Sequence, residues 1–146
     1  MTRINAREIA VQIIFGAEIT GVPVSDFAES FLDKERFALL KGENEIYDEY
    51  PDKKSLKYIN DIIDCYKENK STVDDLISQN AKGWKLTRIS STALAVMRVC
   101  ICEMMYMDDI PTAVSIDSAI NICRGYDDES VVSFINGVLG AVAKSI

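Results

Sequence analysis

The stretch SFINGVLG, residues 133–140, holds two signals that contradict each other. Asn136-Gly137 between apolar residues is a hairpin signal, since both residues tolerate positive φ. The surrounding apolar residues do not alternate, however. Val132, Ile135, Leu139, Val142 and Ile146 recur at spacings of three and four, which places them along one line of a helix. A hairpin needs a partner strand, whereas the helical spacing runs on through Ile146. The period decides for helix, and the Asn-Gly pair becomes a local cost, because a mid-helix Gly is worth about 1 kcal/mol against Ala. Close packing, or the close approach of a partner, is expected to offset it.

The same period governs the rest of the chain, and the spacing predicts an all-α fold. A first helix is expected from about Asn5 to Ile19, with Asn5 as N-cap and Glu8 completing a capping box. Its buried face is Ala6, Ile9, Ala10, Ile13, Ile14 and Ala17. A second helix is expected from Ser25 or Asp26 to Leu40. Residues 41–54, KGENEIYDEYPDKK, read as a charged connection that contributes no core. A long helix around Leu56, Ile59, Ile62, Ile63 and Tyr66 follows, then a segment capped by Ser71 or Thr72 that ends at Gly83-Trp84. Ile89 to Met107 is apolar on most of its circumference, as suits a central helix. Pro111 opens a helix from Thr112 to Arg124, with Gly125 at the position after its end. The last helix starts near Glu129. No repeat or interdomain linker interrupts the pattern, so residues 1–146 read as a single domain.

Composition narrows the function. The formal charge is −7, which speaks against gripping nucleic acid by bulk electrostatics. Its distribution is uneven: residues 26–52 carry three basic and nine acidic side chains, residues 53–88 eight basic and five acidic. The chain has no His, and Cys65, Cys100, Cys102 and Cys123 form no C-x-x-C, so a mixed zinc site is excluded. The cysteines read as buried apolar residues in a reducing compartment. MTRINARE lacks the apolar core of a signal peptide, and ALAVMRVCICEMMYM is broken by Arg98 and Glu103, well short of a membrane span. A cytoplasmic protein is expected.

Enzymatic readings lack their residues. Without His there is no Ser-His or Cys-His pair, and no Gly-rich loop follows a strand. The acidic run at 43–52 lacks the ligand pattern of a calcium loop. Arg98 and Glu103 are conceivable as an acid/base pair, but they read as structural residues that sit at the helix boundary or satisfy a buried partner. No catalytic residue, metal or cofactor is expected. What remains is surface recognition. With each residue about 100° from the last, Ser130, Ser133, Phe134, Gly137 and Ala141 fall opposite the apolar seam of the last helix. Phe134 either packs against a neighbouring helix or faces outward, and an exposed aromatic among small residues is a means of stacking an unpaired base.

Four blocks in order along the chain, AREIAVQIIF, GWKLTRISSTALAVMRVCICEM, DIPTAVSIDSAINICRGY and SFINGVLGAV, resemble the bacterial transcription antitermination factor NusB family. SFINGVLGAV is similar to its F-V-N-G-V-L signature, and AREIAVQIIF, residues 6–15, to A-R-E-x-A-x-Q-x-L-Y. GWKLTRISSTALAVMRVCICEM, residues 83–104, resembles W-x-L-x-R-I followed by the L-R-x-x-x-x-E helix. DIPTAVSIDSAINICRGY, residues 109–126, resembles D-I-P-x-x-V-x-I-N-E-A-x-x-x-A-K-x-Y. The resemblance implies two small antiparallel helical bundles packed together. It implies pairing with NusE, a small-subunit ribosomal protein, binding of boxA RNA in ribosomal RNA transcripts, and work within the RNA polymerase antitermination complex. It places RNA contacts at Arg3, Arg7, Glu129, Ser130 and Phe134, and a NusE contact at Phe15, and it allows a homodimer in isolation.

The chain departs from the family pattern at Ser133, where Lys is frequent, at Val131, where Ser is frequent, and at Asp117-Ser118, which replace Asn-Glu. Each lost cation removes one potential phosphate contact, so RNA affinity is expected to depend on a basic NusE partner. Two rival readings are a NusB-like accessory domain of a ribosomal RNA methyltransferase system and a protein-binding helical scaffold without an RNA surface. The first requires a catalytic domain downstream, whereas the chain ends in AVAKSI.

Overall fold

A computed structural model describes residues 1–146. Seven α-helices and two short 3-10 turns account for all regular structure, so the all-α expectation holds. They divide into two units, residues 1–67 and 68–146.

In the first unit, α1 (Arg3–Thr20) buries the expected stripe from Ala6 to Ala17. It starts earlier than the capping-box pattern suggests. Thr2 is the N-cap, extended at φ −78° and ψ 157°, and its side chain accepts from the Asn5 amide at 3.1 Å. Thr2 and Asn5 are both competent caps, and the earlier one gains an extra turn that carries Arg3. The single helix expected from residue 25 to 40 is two, α2 (Val24–Phe31) and α3 (Lys34–Ala38). Asp33 separates them by capping the second, its carboxylate accepting from the Arg36 amide at 3.1 Å. Phe27 of α2 lies over Gly16 of α1 so closely that any side chain there would clash.

Residues 41–54 contribute to the core, against expectation. A 3-10 turn at Glu45–Tyr47 buries Ile46, and Phe37 stands edge-on to Tyr47 and Tyr50 at ring distances of 5.7 and 5.3 Å. The Tyr50 hydroxyl donates to the Leu32 carbonyl at 2.5 Å. Burial and Asp33 together raise the Tyr50 pKa. Scattered aromatics in a charged segment show no period, so only the fold reveals their partners.

The long helix α4 (Lys53–Asn80) begins in the first unit and ends in the second. Where a new helix capped by Ser71 or Thr72 was expected, only Asn69 leaves helical geometry, at φ −124° and ψ 17°. In the second unit, α5 (Ser91–Tyr106) is buried without interruption from Ala93 to Glu103. It packs against α6 (Thr112–Arg124) and α7 (Glu129–Ser145), which also pack on each other. Arg98 is bound through two of its nitrogens by Asp74 of α4, at 2.9 and 3.1 Å. Glu103, fully buried, accepts from the Ser115 hydroxyl of α6 at 2.9 Å. Both are structural, as expected, and no buried side-chain nitrogen or oxygen lacks a partner.

On α7, Val132, Ile135, Leu139 and Val142 form the buried seam, joined by Val138. Ile146 leaves it and is 52% exposed, because it lies beyond the last helical turn. The Asn-Gly pair is helical, but close packing does not offset its cost: a Cβ added at Gly137 would meet nothing within 4 Å. Gly125 ends α6 in right-handed geometry at φ −74°, not in a left-handed cap. Cys100, Cys102 and Cys123 are buried and Cys65 is half-buried, and none is in a disulfide. Burial, then the Asp127 carboxylate, push the Cys123 thiol up to about 11. Asp128 caps α7, accepting from the Ser130 hydroxyl at 2.6 Å and from the Ser130 and Val131 amides at 3.1 and 3.2 Å. The Ser130 hydroxyl and the Val131 amide hold its carboxyl below the ordinary value of 3.8.

Two outcomes follow from these contacts. Asp74→Ala leaves Arg98 without its forked acceptor and lowers the unfolding free energy by about 1.5–3 kcal/mol in urea titrations. A paired Asp74→Leu, Arg98→Met variant recovers most of that loss, because the buried charge is gone. The depressed Asp128 pKa means that its contribution is complete above the unfolded-state value and is lost as pH falls through the lower folded value. Acid melting curves of the wild type and Asp128→Asn therefore converge as pH falls below the ordinary carboxylate range, because the Asn cap does not titrate.

Candidate nucleic-acid interface

The sequence-derived contact residues occupy two patches, one in each unit. In the first, the opening turn of α1 stands beside Tyr58 of α4, whose ring is buried. The Arg3 guanidinium carbon lies 4.4 Å from the Tyr58 ring centre and that of Arg7 lies 5.9 Å from it. A cation over an aromatic face is attracted by the ring quadrupole, so Tyr58 fixes both arginines. They differ in reach: Arg3 is half-buried, whereas Arg7 is only 3% exposed. Arg7 therefore supports the patch from beneath while Arg3 offers its donors outward. Nearby, the Met1 ammonium lies 3.8 Å from Asp52, whose pKa is lowered chiefly by hydrogen bonds from the side chain and amide of Ser55.

Phe15 lies farther along α1 and is half-buried. Ile19, four residues on and so on the same face, is 59% exposed. The pair makes a partly open apolar strip.

The second patch surrounds the start of α7. Gly83, at φ 80°, turns the chain out of α4 and presents Trp84, after which Leu86–Arg88 form a 3-10 turn leading to the Ser90 cap of α5. Trp84 meets Phe134 at the edge of a groove, with ring centres 5.5 Å apart and planes inclined at 58°. Arg88, Ile89, Ser90, Ser130 and Val131 complete the lining of a space of about 170 Å³. The Ser90 hydroxyl lies 3.4 Å from the Asp127 carboxylate, tying the two walls together. Glu129 is exposed and pairs with Arg124 at 3.2 Å. Phe134 thus meets both alternatives read from the sequence: it touches a neighbouring ring and still borders an open groove. Glu129, Ser130 and Phe134 are brought together on the first turns of one helix.

Sequence reasoning passed over Trp84, Arg88 and Tyr58 as site residues. One signal was available for the first two. Residues 76–102 contain Lys82, Lys85, Arg88 and Arg98 and no acidic side chain, a basic island around the chain's one Trp. Tyr58 gave none, because a Tyr on the buried stripe of a helix reads as core. A larger cleft in the first unit, about 740 Å³, is lined by Asp26, Glu29, Asp33 and Glu35 against a single Arg36. Its charge repels phosphate. No group of three or more His, Cys, Asp or Glu is arranged to hold a metal ion, and no helix is long and apolar enough to cross a membrane.

Comparison with known proteins agrees with this architecture. The NusB family model matches residues 4–144. A relative named transcription antitermination protein NusB from Clostridium perfringens (strain SM101 / Type A) is 36% identical over 146 residues, covering 100% of this chain and 99% of that one. Its namesake from Clostridium botulinum (strain Kyoto / Type A2) is 32% identical over 140 residues, covering 96% and 98%. Among solved structures, T. maritima NusB superposes with a TM-score of 0.82 at 30% identity, over 99% of this chain and 92% of that one. A structure of antitermination factors NusB and NusE with dsRNA gives a TM-score of 0.80 over the whole of both chains at 16% identity, a likeness of fold alone. Matched along nearly its whole length by the family model and by relatives above 30% identity, this chain belongs to the NusB family.

Proposed function

We propose that residues 1–146 act as one RNA-binding helical domain of a transcription antitermination factor. The protein pairs with NusE, binds boxA RNA of ribosomal RNA transcripts, and joins the RNA polymerase antitermination complex in the cytoplasm. It does so by recognition rather than catalysis. Family membership supports the role, and the relatives' shared name supplies its biological setting. The observation that carries the RNA reading is the half-exposed Phe134 at the head of α7, beside a groove and next to a helix start. Base stacking on such a ring needs no sequence-specific pairing.

Each contact then has a chemical task. Arg3 takes a phosphate, and Arg7 holds the Tyr58 platform beneath it. Ser130 and Glu129 offer oxygens to base edges, with Glu129 released from its exposed pair with Arg124, an interaction worth little in water. Phe15 and Ile19 supply apolar contact for NusE. With Arg3 the one accessible cation among these contacts and a net charge of −7, the protein depends on NusE for further phosphate contacts.

The decisive measurement is binding of boxA-containing RNA across a salt series, with and without NusE. Tight, salt-dependent binding is expected only with NusE, with a slope of about −0.7 in log K against log salt for each phosphate neutralised on a single strand. Equal affinity for boxA and scrambled RNA in both arms overturns the reading, and NusE binding with no RNA contribution points to a protein scaffold instead. Phe134→Ala is expected to weaken RNA binding by about 1–3 kcal/mol while melting temperature changes little. A drop of many degrees with unaltered affinity would assign Phe134 to the core.

A further inference from the structure

The Trp84 indole is 52% exposed although it is the largest apolar surface the chain possesses. Folding forgoes the gain from burying it, and such an exposed aromatic is informative where an isolated exposed Leu is not. Gly83, at positive φ just beyond the end of α4, redirects the chain immediately before Trp84. Neither the indole N–H nor the Arg88 guanidinium donates a hydrogen bond within the protein, so both donors stand open beside the groove.

We propose that the Trp84–Phe134 corner is a nucleobase site, and that Arg88 takes the phosphate of the same or the adjoining nucleotide. This rests on the RNA-binding reading and extends its surface to a segment outside α7. The geometry restricts how a base enters. Rings 5.5 Å apart leave no room for a third ring between them. Their 58° inclination instead makes a corner, in which a base stacks on the outer face of one ring and sets its edge against the other. Ile89 and Val131 floor the corner with apolar surface.

The rim is polar in a directed way. The Ser130 hydroxyl is committed to Asp128 at 2.6 Å and that of Ser90 faces Asp127 at 3.4 Å. With their protons turned to carboxylates, both present lone pairs to the N–H groups of a base edge. Lys82, Lys85 and Arg88 flank the corner along the chain with no acidic residue among them, which suits a phosphate-bearing occupant and not an acidic-free apolar peptide. At about 170 Å³ the space accommodates a single planar group and is too short for the row of anchors by which a partner helix binds.

Trp84 is also the only tryptophan, so its emission reports on this site directly. The test titrates boxA-containing RNA into the full chain bound to NusE, with a Trp84→Phe complex as the blank for any signal from NusE. Quenching of Trp84 emission on RNA addition is expected. Trp84→Ala is expected to weaken binding about 5- to 150-fold, as loss of one stacked base does, and Trp84→Phe to retain most affinity. Arg88→Ala should lower the salt slope by about one phosphate contact. Far-UV circular dichroism of each variant identifies any failure to fold, in which case Trp84→Phe emission-independent affinity and Arg88→Ala decide alone. RNA binding with unchanged Trp84 emission, and affinities of all three variants within twofold of wild type, overturns the proposal while leaving the RNA-binding reading intact. A Trp84 response to NusE and none to RNA overturns it in favour of a protein interface. Absence of RNA binding by the wild-type complex fails both readings together.

Discussion

Burial of α5 on every side is the constraint from which the second unit follows. A helix apolar around its circumference cannot rest on one neighbour, so α6 and α7 must both lie against it. Its two charged residues tighten that requirement. Arg98 demands a carboxylate, found on Asp74 of α4, and Glu103 demands a donor, found on Ser115 of α6. Each bond fixes a neighbouring helix in rotation as well as position, because an unpaired buried charge costs several kcal/mol. With Val132, Ile135, Leu139 and Val142 of α7 committed to the core, the opposite face is left over. Phe134 and Gly137 belong to that remainder.

The candidate surface is therefore a consequence of packing done elsewhere. Asp128 caps α7 and, in the same arrangement, orients the Ser130 hydroxyl at the groove rim. Ser90 caps α5 and faces Asp127 across the same groove. Helix starts thus supply both the walls and the polar rim, using groups whose first duty is to satisfy backbone amides. In the first unit, Tyr58 plays a comparable part, packed into the core by one side while its face receives Arg3 and Arg7. An acidic protein can present an RNA surface in this way, because short-range stacking and a few placed cations matter more than net charge once screening limits distant repulsion.

Legibility in the sequence followed periodicity. The α6 boundaries, the long apolar α5 and the seam of α7 were readable because their residues repeat at three and four over many turns. The break at Asp33, the core role of Ile46, Tyr47 and Tyr50, and the bend at Asn69 were not, since each rests on one capping bond or a few ring contacts without a repeat. The candidate site divides in the same manner. Phe134, Ser130 and Glu129 could be placed together because they share one helix, whereas Trp84 reaches Phe134 across fifty residues of chain.

By itself the sequence determined an all-helical chain, its family, and the face of α7 that avoids the core, because hydrophobic period and motif order are properties of local spacing. Only the tertiary structure decided that Arg7 is covered while Arg3 is not, that Gly137 faces open space, and that SFINGVLG meets GWKLTR at an aromatic corner. Those facts depend on which surfaces distant segments bring together, and chain closure over such separations leaves no periodic trace in the residues that meet.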